Sequence, residues 1–245
     1  MKMPVAAYGA YGKKLSPYLR LAAAIVIVVL AVFALVRAVS WHKLDESRRL
    51  LTMVNPWNPV SETGYSAKLT SAENGLQVDR ACAEALRQLL ADCRGAGCRP
   101  MLTAAYRSVD DQLVFRDQEI QNRVDAGMNP EEAEAEVSKR IALPGRSEHE
   151  LGLAVDIVDA ENPVLEEEQV ETATARWLEE NAWRYGFIQR YPLGSDEITG
   201  YGWHPWHYRY VGEDAAGNIH SLGITLEEYL SLFYSDEAAV VYDQK

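Results

Sequence analysis

His149, Asp156 and His207 are the side chains of this chain whose types and surroundings can do the most chemistry. His149 sits in Ser147-Glu148-His149-Glu150-Leu151-Gly152, and Asp156 follows seven residues later inside the alternating, β-rich segment LAVDIVD at 153–159. An imidazole followed, after a glycine-bearing turn, by a carboxylate on a strand can place both on one metal ion. A continuous helix would not, because seven residues span about two turns of it. His207 begins a second alternating segment, WHYRYV at 206–211, and completes a His/Asp/His set. Three N/O ligands with a fourth position left to solvent are the pattern of a catalytic rather than a closed structural zinc site.

Taken alone, a His and an Asp seven apart carry little weight, since most such pairs are unrelated. The flanks add the weight. S-x-H-x-x-G-x-A-x-D at 147–156, P-W-H-x-R-Y-V-G at 205–212 and Y-R-S-x-x-x-Q at 106–112 occur in one chain, with Pro144-Gly145 and Tyr185-Gly186-Phe187 between them. From about Met53 to Phe233 the chain resembles the zinc D,D-carboxypeptidases and dipeptidases related to VanY and VanX. The resemblance implies a zinc cofactor held by His149, Asp156 and His207, and Arg107 as the cation that polarises the scissile carbonyl. It implies Ser147 and Gln112 as residues holding the end of the substrate, and a hydrolase acting on D-Ala-terminated peptidoglycan stem peptides. A guanidinium is suited to the oxyanion role, as a fixed fork of permanent charge aimed at developing negative charge.

The chain departs from that family at one position. Where the family usually carries a glutamate just before Pro-Trp-His, acting as base and then as acid, this chain has His204. Three roles are open to it. An unperturbed imidazole titrates near pH 6.5 and can itself be the base. It can be a fourth ligand that closes the site, or it can point away while another group moves the proton. Because His204 stands where the base is expected, a non-catalytic muropeptide-binding protein that lacks a competent base stays in play, and an L,D-carboxypeptidase acting on tetrapeptides is a further enzyme alternative.

The elements that must position these residues are readable in outline. Asp79 is the N-cap of a helix predicted over 80–93, with Leu86, Leu89, Leu90 and Cys93 on one stripe and Gly95 and Gly97 beyond its end. A strand from Met101 to Tyr106 delivers Arg107. Asn129-Pro130 opens a helix through Arg140. A helix over about 170–185 stops at Gly186, and Thr225 to Phe233 form a last short helix. Strands interspersed with helices in this order predict an α+β domain, a small antiparallel sheet flanked by helices, over 61–235. His220 is expected in an exposed loop, Glu166-Glu167-Glu168 at a helix N-terminus, and Trp203, Trp206 and Tyr208 in core and pocket wall.

The remaining features concern compartment. Residues 21–36 read LAAAIVIVVLAVFALV without a charge, and extended to about 21–39 they suit a membrane span of roughly 20 residues. Lys2, Lys13, Lys14 and Arg20 precede it, favouring a cytoplasmic segment 1–20 and an extracytoplasmic domain on an uncleaved signal anchor. Ala38-Val39-Ser40 leaves a cleaved signal peptide as the second reading. Residues 40–60 then form a linker and 236–245 a tail. Residues 1–49 carry eight Lys/Arg and two Asp/Glu, so in a chain of net charge −12 the body is strongly acidic. An acidic body argues against nucleic acid as partner. Among the three cysteines, Cys93 and Cys98 flank the Gly95/Gly97 turn and are the local candidates for a disulfide, with an odd thiol left over.

Overall fold

The computed structural model describes residues 25–33, Arg37 and residues 47–234, and the chain divides into units 1–46 and 47–245. In the first unit residues 25–33 are helical with exposed apolar side chains such as Ile27 and Phe33. The rest of the span expected over 21–39 lies outside the described residues, as do the segment 1–20 and the tail 236–245. Among the described residues no helix is long and apolar enough to cross a membrane.

The second unit is the expected α+β domain. Its elements are β1 (Leu69–Ser71), β2 (Gln77–Asp79), α1 (Arg80–Gly95), β3 (Pro100–Ala104), α2 (Val109–Asp125) and α3 (Pro130–Arg140). Then follow β4 (Ala154–Asp159), α4 (Ala173–Asn181), β5 (Phe187–Gln189), α5 (Asp196–Thr199), β6 (His207–Tyr210), α6 (Glu213–Leu222) and α7 (Leu226–Phe233). β1 and β2 form a hairpin, and β3-β4-β6-β5 form a four-stranded sheet that is antiparallel throughout.

Alternation along the central strands sorts the sheet into two faces. Val155 and Ile157 of β4, with Tyr208 of β6 and Phe187 of β5, join Leu86, Leu89 and Leu90 of α1 and Leu178 of α4 in the main core. The opposite face carries Ala154, Asp156, His207 and Arg209, and β4 is buried on both sides. A second cluster packs Leu51 and Met53 with Ile188, Ile219 and Leu230. Residues 47–60, read as linker, therefore belong largely to the domain: Leu50, Leu51, Met53 and Val54 are all buried.

Local signals account for most element ends. Asp79 caps α1 through the Ala81 N–H, and Thr225 caps α7 in a reciprocal capping box with Glu228. The helix expected over 170–185 is an α-helix to Asn181 followed by a 3-10 turn over Ala182–Tyr185, ended by Gly186 at φ 79. A Cβ at Gly186 would stand 2.7 Å from the Tyr210 ring, so both space and backbone demand glycine. His220 lies on α6, not in a loop, and stacks on Trp183 with ring centroids 4.8 Å apart. Cys82, Cys93 and Cys98 are all free thiols, so the expected Cys93–Cys98 disulfide is not formed.

Candidate metal centre

The three metal-type residues are brought together by two short devices. Asp156 and His207 stand directly opposite in the β4–β6 ladder. His149 comes from the 3-10 turn Glu148–Leu151, whose reversal into β4 passes through Gly152 at φ 67. A Cβ on Gly152 would lie 2.9 Å from the Asp79 backbone nitrogen, so the turn approaches the β2–α1 junction too closely for another residue.

The donor atoms converge. His149 Nε2 is 3.4 Å from Asp156 Oδ2, and His207 Nδ1 is 2.9 Å from Asp156 Oδ1. Tetrahedral donors about 2.1 Å from a zinc ion stand roughly 3.4 Å apart; the His149–Asp156 spacing matches this, while His207 Nδ1 and Asp156 Oδ1 stand at hydrogen-bond distance. One nitrogen, one carboxylate oxygen and one further nitrogen, all buried, lie within 4.8 Å of one another. Two imidazoles and a carboxylate are a donor set that suits zinc. His149 Nδ1 sits 2.7 Å from the Ala105 carbonyl, which takes that N–H and leaves Nε2 free for a metal.

Beneath His207 lies a charge network not foreseen from the sequence. Glu148 is fully buried and its Oε1 accepts from Arg190 Nε at 2.8 Å and Arg209 Nη1 at 2.7 Å. Its Oε2 and His207 Nε2 have no hydrogen-bond partner within normal distance, yet they face each other at 3.6 Å. Arg190 continues the chain of charges to buried Glu227 through two hydrogen bonds, and Glu227 Oε1 accepts from Asn55 Nδ2. Burial alone would raise the Glu148 pKa, but Arg190 and Arg209 hold it well below the usual carboxylate range. Burial would likewise lower the His207 pKa, but contacts with Asp156 and Glu148 raise it. Asp156 is depressed despite its burial by the two histidines.

Arg107 follows β3, and its backbone N–H donates to the His149 carbonyl. Its guanidinium donates from Nη1 to Gln112 Oε1 at 2.7 Å and lies 4.2 Å over the Phe115 ring. Gln112 is anchored in turn by donation from Nε2 to the Ala142 carbonyl at 2.8 Å. The Gln112 amide therefore holds Arg107 in place. Ser147 is buried and its Oγ accepts from the His149 N–H at 3.3 Å.

His204 is 5% exposed, stacked on Trp206 at 5.0 Å and edge-on to Tyr191 at 5.2 Å. Its Nε2 has no hydrogen-bond partner among the described residues. Its ring lies 6.4 Å from that of His207, and it is not among the residues whose donor atoms share the candidate ion position. Burial, then the neighbouring His207, push its pKa down to about 3, which favours the uncharged ring. Tyr191, which stacks on His207 at 5.0 Å, and Tyr201 are further walls that no local motif marks. His149, Asp156, His207, Arg107, Ser147 and His204 all line one cavity of about 410 Å³, while Arg190, Arg209 and Glu227 lie outside its lining.

A buried His/Asp/His centre lining a cavity, with a fixed arginine beside it, is the site of a metal-dependent hydrolase. Comparison with known proteins names the family. Residues 75–213 match the family model VanY, D-alanyl-D-alanine carboxypeptidase. A D-alanyl-D-alanine carboxypeptidase of Enterococcus faecalis is 39% identical over 188 residues, covering 76% of this chain and 68% of the relative. The chain belongs to the VanY D-alanyl-D-alanine carboxypeptidase family. A crystal structure of a mutant vancomycin resistance D,D-pentapeptidase VanY in complex with Zn(II) aligns with TM-score 0.67 at 38% identity. It covers 74% of this chain and 99% of that one. The LD-carboxypeptidase LdcB aligns with TM-score 0.64 at 32% identity, over 74% of this chain and 86% of its own.

Proposed function

We propose that this chain is a zinc-dependent carboxypeptidase that removes the terminal D-Ala from peptidoglycan stem peptides. The observation that carries the reading is the convergence of His149 Nε2, Asp156 and His207 Nδ1 at one end of a cavity that Arg107 also lines. Zinc held by these three residues would polarise the scissile carbonyl and make an attacking water more acidic. Arg107, fixed by Gln112 and Phe115, faces the carbonyl oxygen as negative charge develops on it. Ser147 holds the terminal carboxylate end, while Gln112 acts on it through Arg107.

His204 is the base in this reading. Its ring, stacked on Trp206 and edge-on to Tyr191 with Nε2 unpartnered among the described residues, lines the same cavity and accepts a proton from the attacking water. It then returns that proton to the leaving amine as the C–N bond breaks, giving the shortened peptide and D-alanine. Its exclusion from the ligand group weighs against the closed, four-ligand alternative. The domain works outside the cytoplasm, tethered by the apolar run that begins at Leu21.

The test is hydrolysis of synthetic D-Ala-terminated pentapeptide and of tetrapeptide, with and without chelator, by the wild type, His204→Ala and His204→Glu. Wild-type release of D-Ala from the pentapeptide is expected, abolished by chelator. His204→Ala should lose about 10²–10⁴ in rate, and His204→Glu should retain or raise activity. An inert wild type beside an active His204→Glu would make this a muropeptide-binding protein, and activity on the tetrapeptide alone an L,D-carboxypeptidase. A His204→Ala as fast as wild type removes the base role.

A further inference from the structure

The three cysteines take no part in the candidate metal group, and two of them meet where α1 ends. Gly97 there has φ 88, and its N–H donates to the Arg94 carbonyl at 2.9 Å. The Cys98 N–H reaches back to the Cys93 carbonyl at 3.2 Å. Together these bonds are the Schellman closure of a helix, with Gly97 in the left-handed position. Such a closure sets the side chain just after the glycine against the one four residues before it. An apolar pair commonly fills those two positions. Here both are thiols, and they interact directly.

The two thiols differ in access. Cys93 is fully buried, whereas Cys98 is half-buried, with its Sγ 3.5 Å from the Ala173 carbonyl at the start of α4. Burial, then the neighbouring Cys98, push the Cys93 pKa up to about 12. A reactant from solvent therefore meets Cys98 first, and Cys93 is shielded from everything but its neighbour. Cys82, near the other end of α1, is also fully buried, and its thiol donates to the Asp79 carbonyl at 3.2 Å. The structure holds all three in the reduced form.

We propose that Cys93 and Cys98 are a redox modification site, closed by a small disulfide into a reversible latch between the end of α1 and the entry of β3. The Cys98 thiolate attacks one sulfur of the small disulfide and releases its first half as a thiolate. Cys93 gives up its proton, attacks Cys98 Sγ in the mixed disulfide and releases the second half. The protein loses two electrons and two protons, and the small disulfide becomes two thiols. Cys82 stays reduced, because neither a partner thiol nor solvent reaches it. The latch adds to stability by removing freedom from the unfolded chain, and for so short a loop the melting temperature should rise by roughly 4–9 °C. None of this depends on the peptidase reading of the metal centre.

Incubating the folded full chain with oxidised glutathione tests it, followed by acid quenching, alkylation under denaturing conditions and peptide mass mapping. Free thiols should fall from three per chain to one, the survivor being Cys82, with Cys93 and Cys98 recovered in one linked peptide. The oxidised chain should melt higher by the margin above, and a reducing dithiol should restore both the thiols and the lower melting temperature. Cys98→Ser, altered at the half-buried position, should keep Cys82 and Cys93 reduced and show no shift. Cys93→Ser should stop at a glutathione adduct on Cys98, but the mapping of the wild type stands whether or not that variant folds. Three free thiols after oxidation, loss of Cys82, or a wild-type adduct on Cys98 with Cys93 still free would each overturn the site. A bridged chain that melts no higher than the reduced one overturns the latch.

Discussion

Replacing Glu148 by Gln removes one negative charge from a place where two guanidiniums meet with no exposed surface. In the wild type Glu148 Oε1 accepts from both Arg190 and Arg209, and the side chains of all three are 0% exposed. Arg190 keeps a second carboxylate in Glu227, bound through two nitrogens. Among the described residues Arg209 keeps only the carbonyls of Leu50, Thr52 and Tyr210. Removing one partner of a buried ion pair costs about 3–5 kcal/mol because the other charge is left uncompensated. For a domain of this size each kcal/mol is worth about 2–4 °C, so the melting temperature should fall by roughly 6–20 °C. Glu227→Gln should cost less, since Arg190 then retains Glu148. The metal gives a second readout. With Glu148 Oε2 gone, His207 Nε2 loses the carboxylate 3.6 Å away, and zinc affinity in a chelator competition should drop about 10- to 100-fold. Melting curves with and without zinc check both effects. A loss under about 1 kcal/mol with unchanged zinc affinity would refute the reasoning, because it would mean that Arg209 is neutralised from elsewhere.

His149→Ala, Asp156→Ala and His207→Ala should each lose most of about one bound zinc per chain, measured by metal analysis after dialysis, since two ligands do not close round the ion. Arg107→Ala should cut turnover by about 10²–10³ with zinc content unchanged, and Arg107→Lys should not rescue it fully, since a point charge does not reproduce the fork seated on Gln112 and Phe115. Asp79→Ala removes the α1 cap together with acceptors for the Lys68 N–H, Arg49 and Tyr65, and should lower stability by about 2–4 kcal/mol in urea unfolding. Despite burial, those hydrogen bonds hold the Asp79 pKa below its ordinary value. Its contribution is therefore present above the unfolded carboxylate pKa, about 3.9, and lost as pH falls through the folded one. The gap between wild type and variant should narrow toward pH 3.

What could be read in the sequence was whatever is local. The helix caps at Asp79 and Asn129, the last short helix, and the alternation at 153–159 and 206–211 depend on neighbours a few residues away, and those elements lie where the pattern puts them. α2 escaped because it has no apolar stripe to see. Its buried positions are Gln112 and Arg116, while Leu113 and Val114 are exposed, and only the Ser108/Asp111 capping box marks its start. α6 escaped because Ala215, Ala216 and Gly217 give a small-residue face that periodicity barely registers. The residues that come together as the candidate metal group were legible; their support was not. Glu148 finds Arg190 and Arg209 at separations of 42 and 61 residues, and the pairing exists only once β5 and β6 are aligned.

That alignment is where sequence spacing becomes chemistry. In the β4–β6 ladder Asp156 faces His207 and Ala154 faces Arg209, so the candidate metal ligands and the arginine that meets Glu148 share one face. A register slip of one residue would turn both to the core side and bring Val155 and Tyr208 to the metal. The core forbids it, because Val155, Ile157 and Tyr208 are packed against α1 on the other face. The buried network forbids it a second time, since Arg209 can reach Glu148 only in this register. The same hydrophobic alternation that stabilises the sheet therefore sets the donor spacing, and the Arg190–Glu148–Arg209 charges lock it. His204 lies outside this arrangement, before β6 and held by Tyr191 and Trp206. Its side chain is not among the donors of the candidate metal group and does not carry the register, so the position can be substituted, as the proposed base role requires, without dismantling the centre.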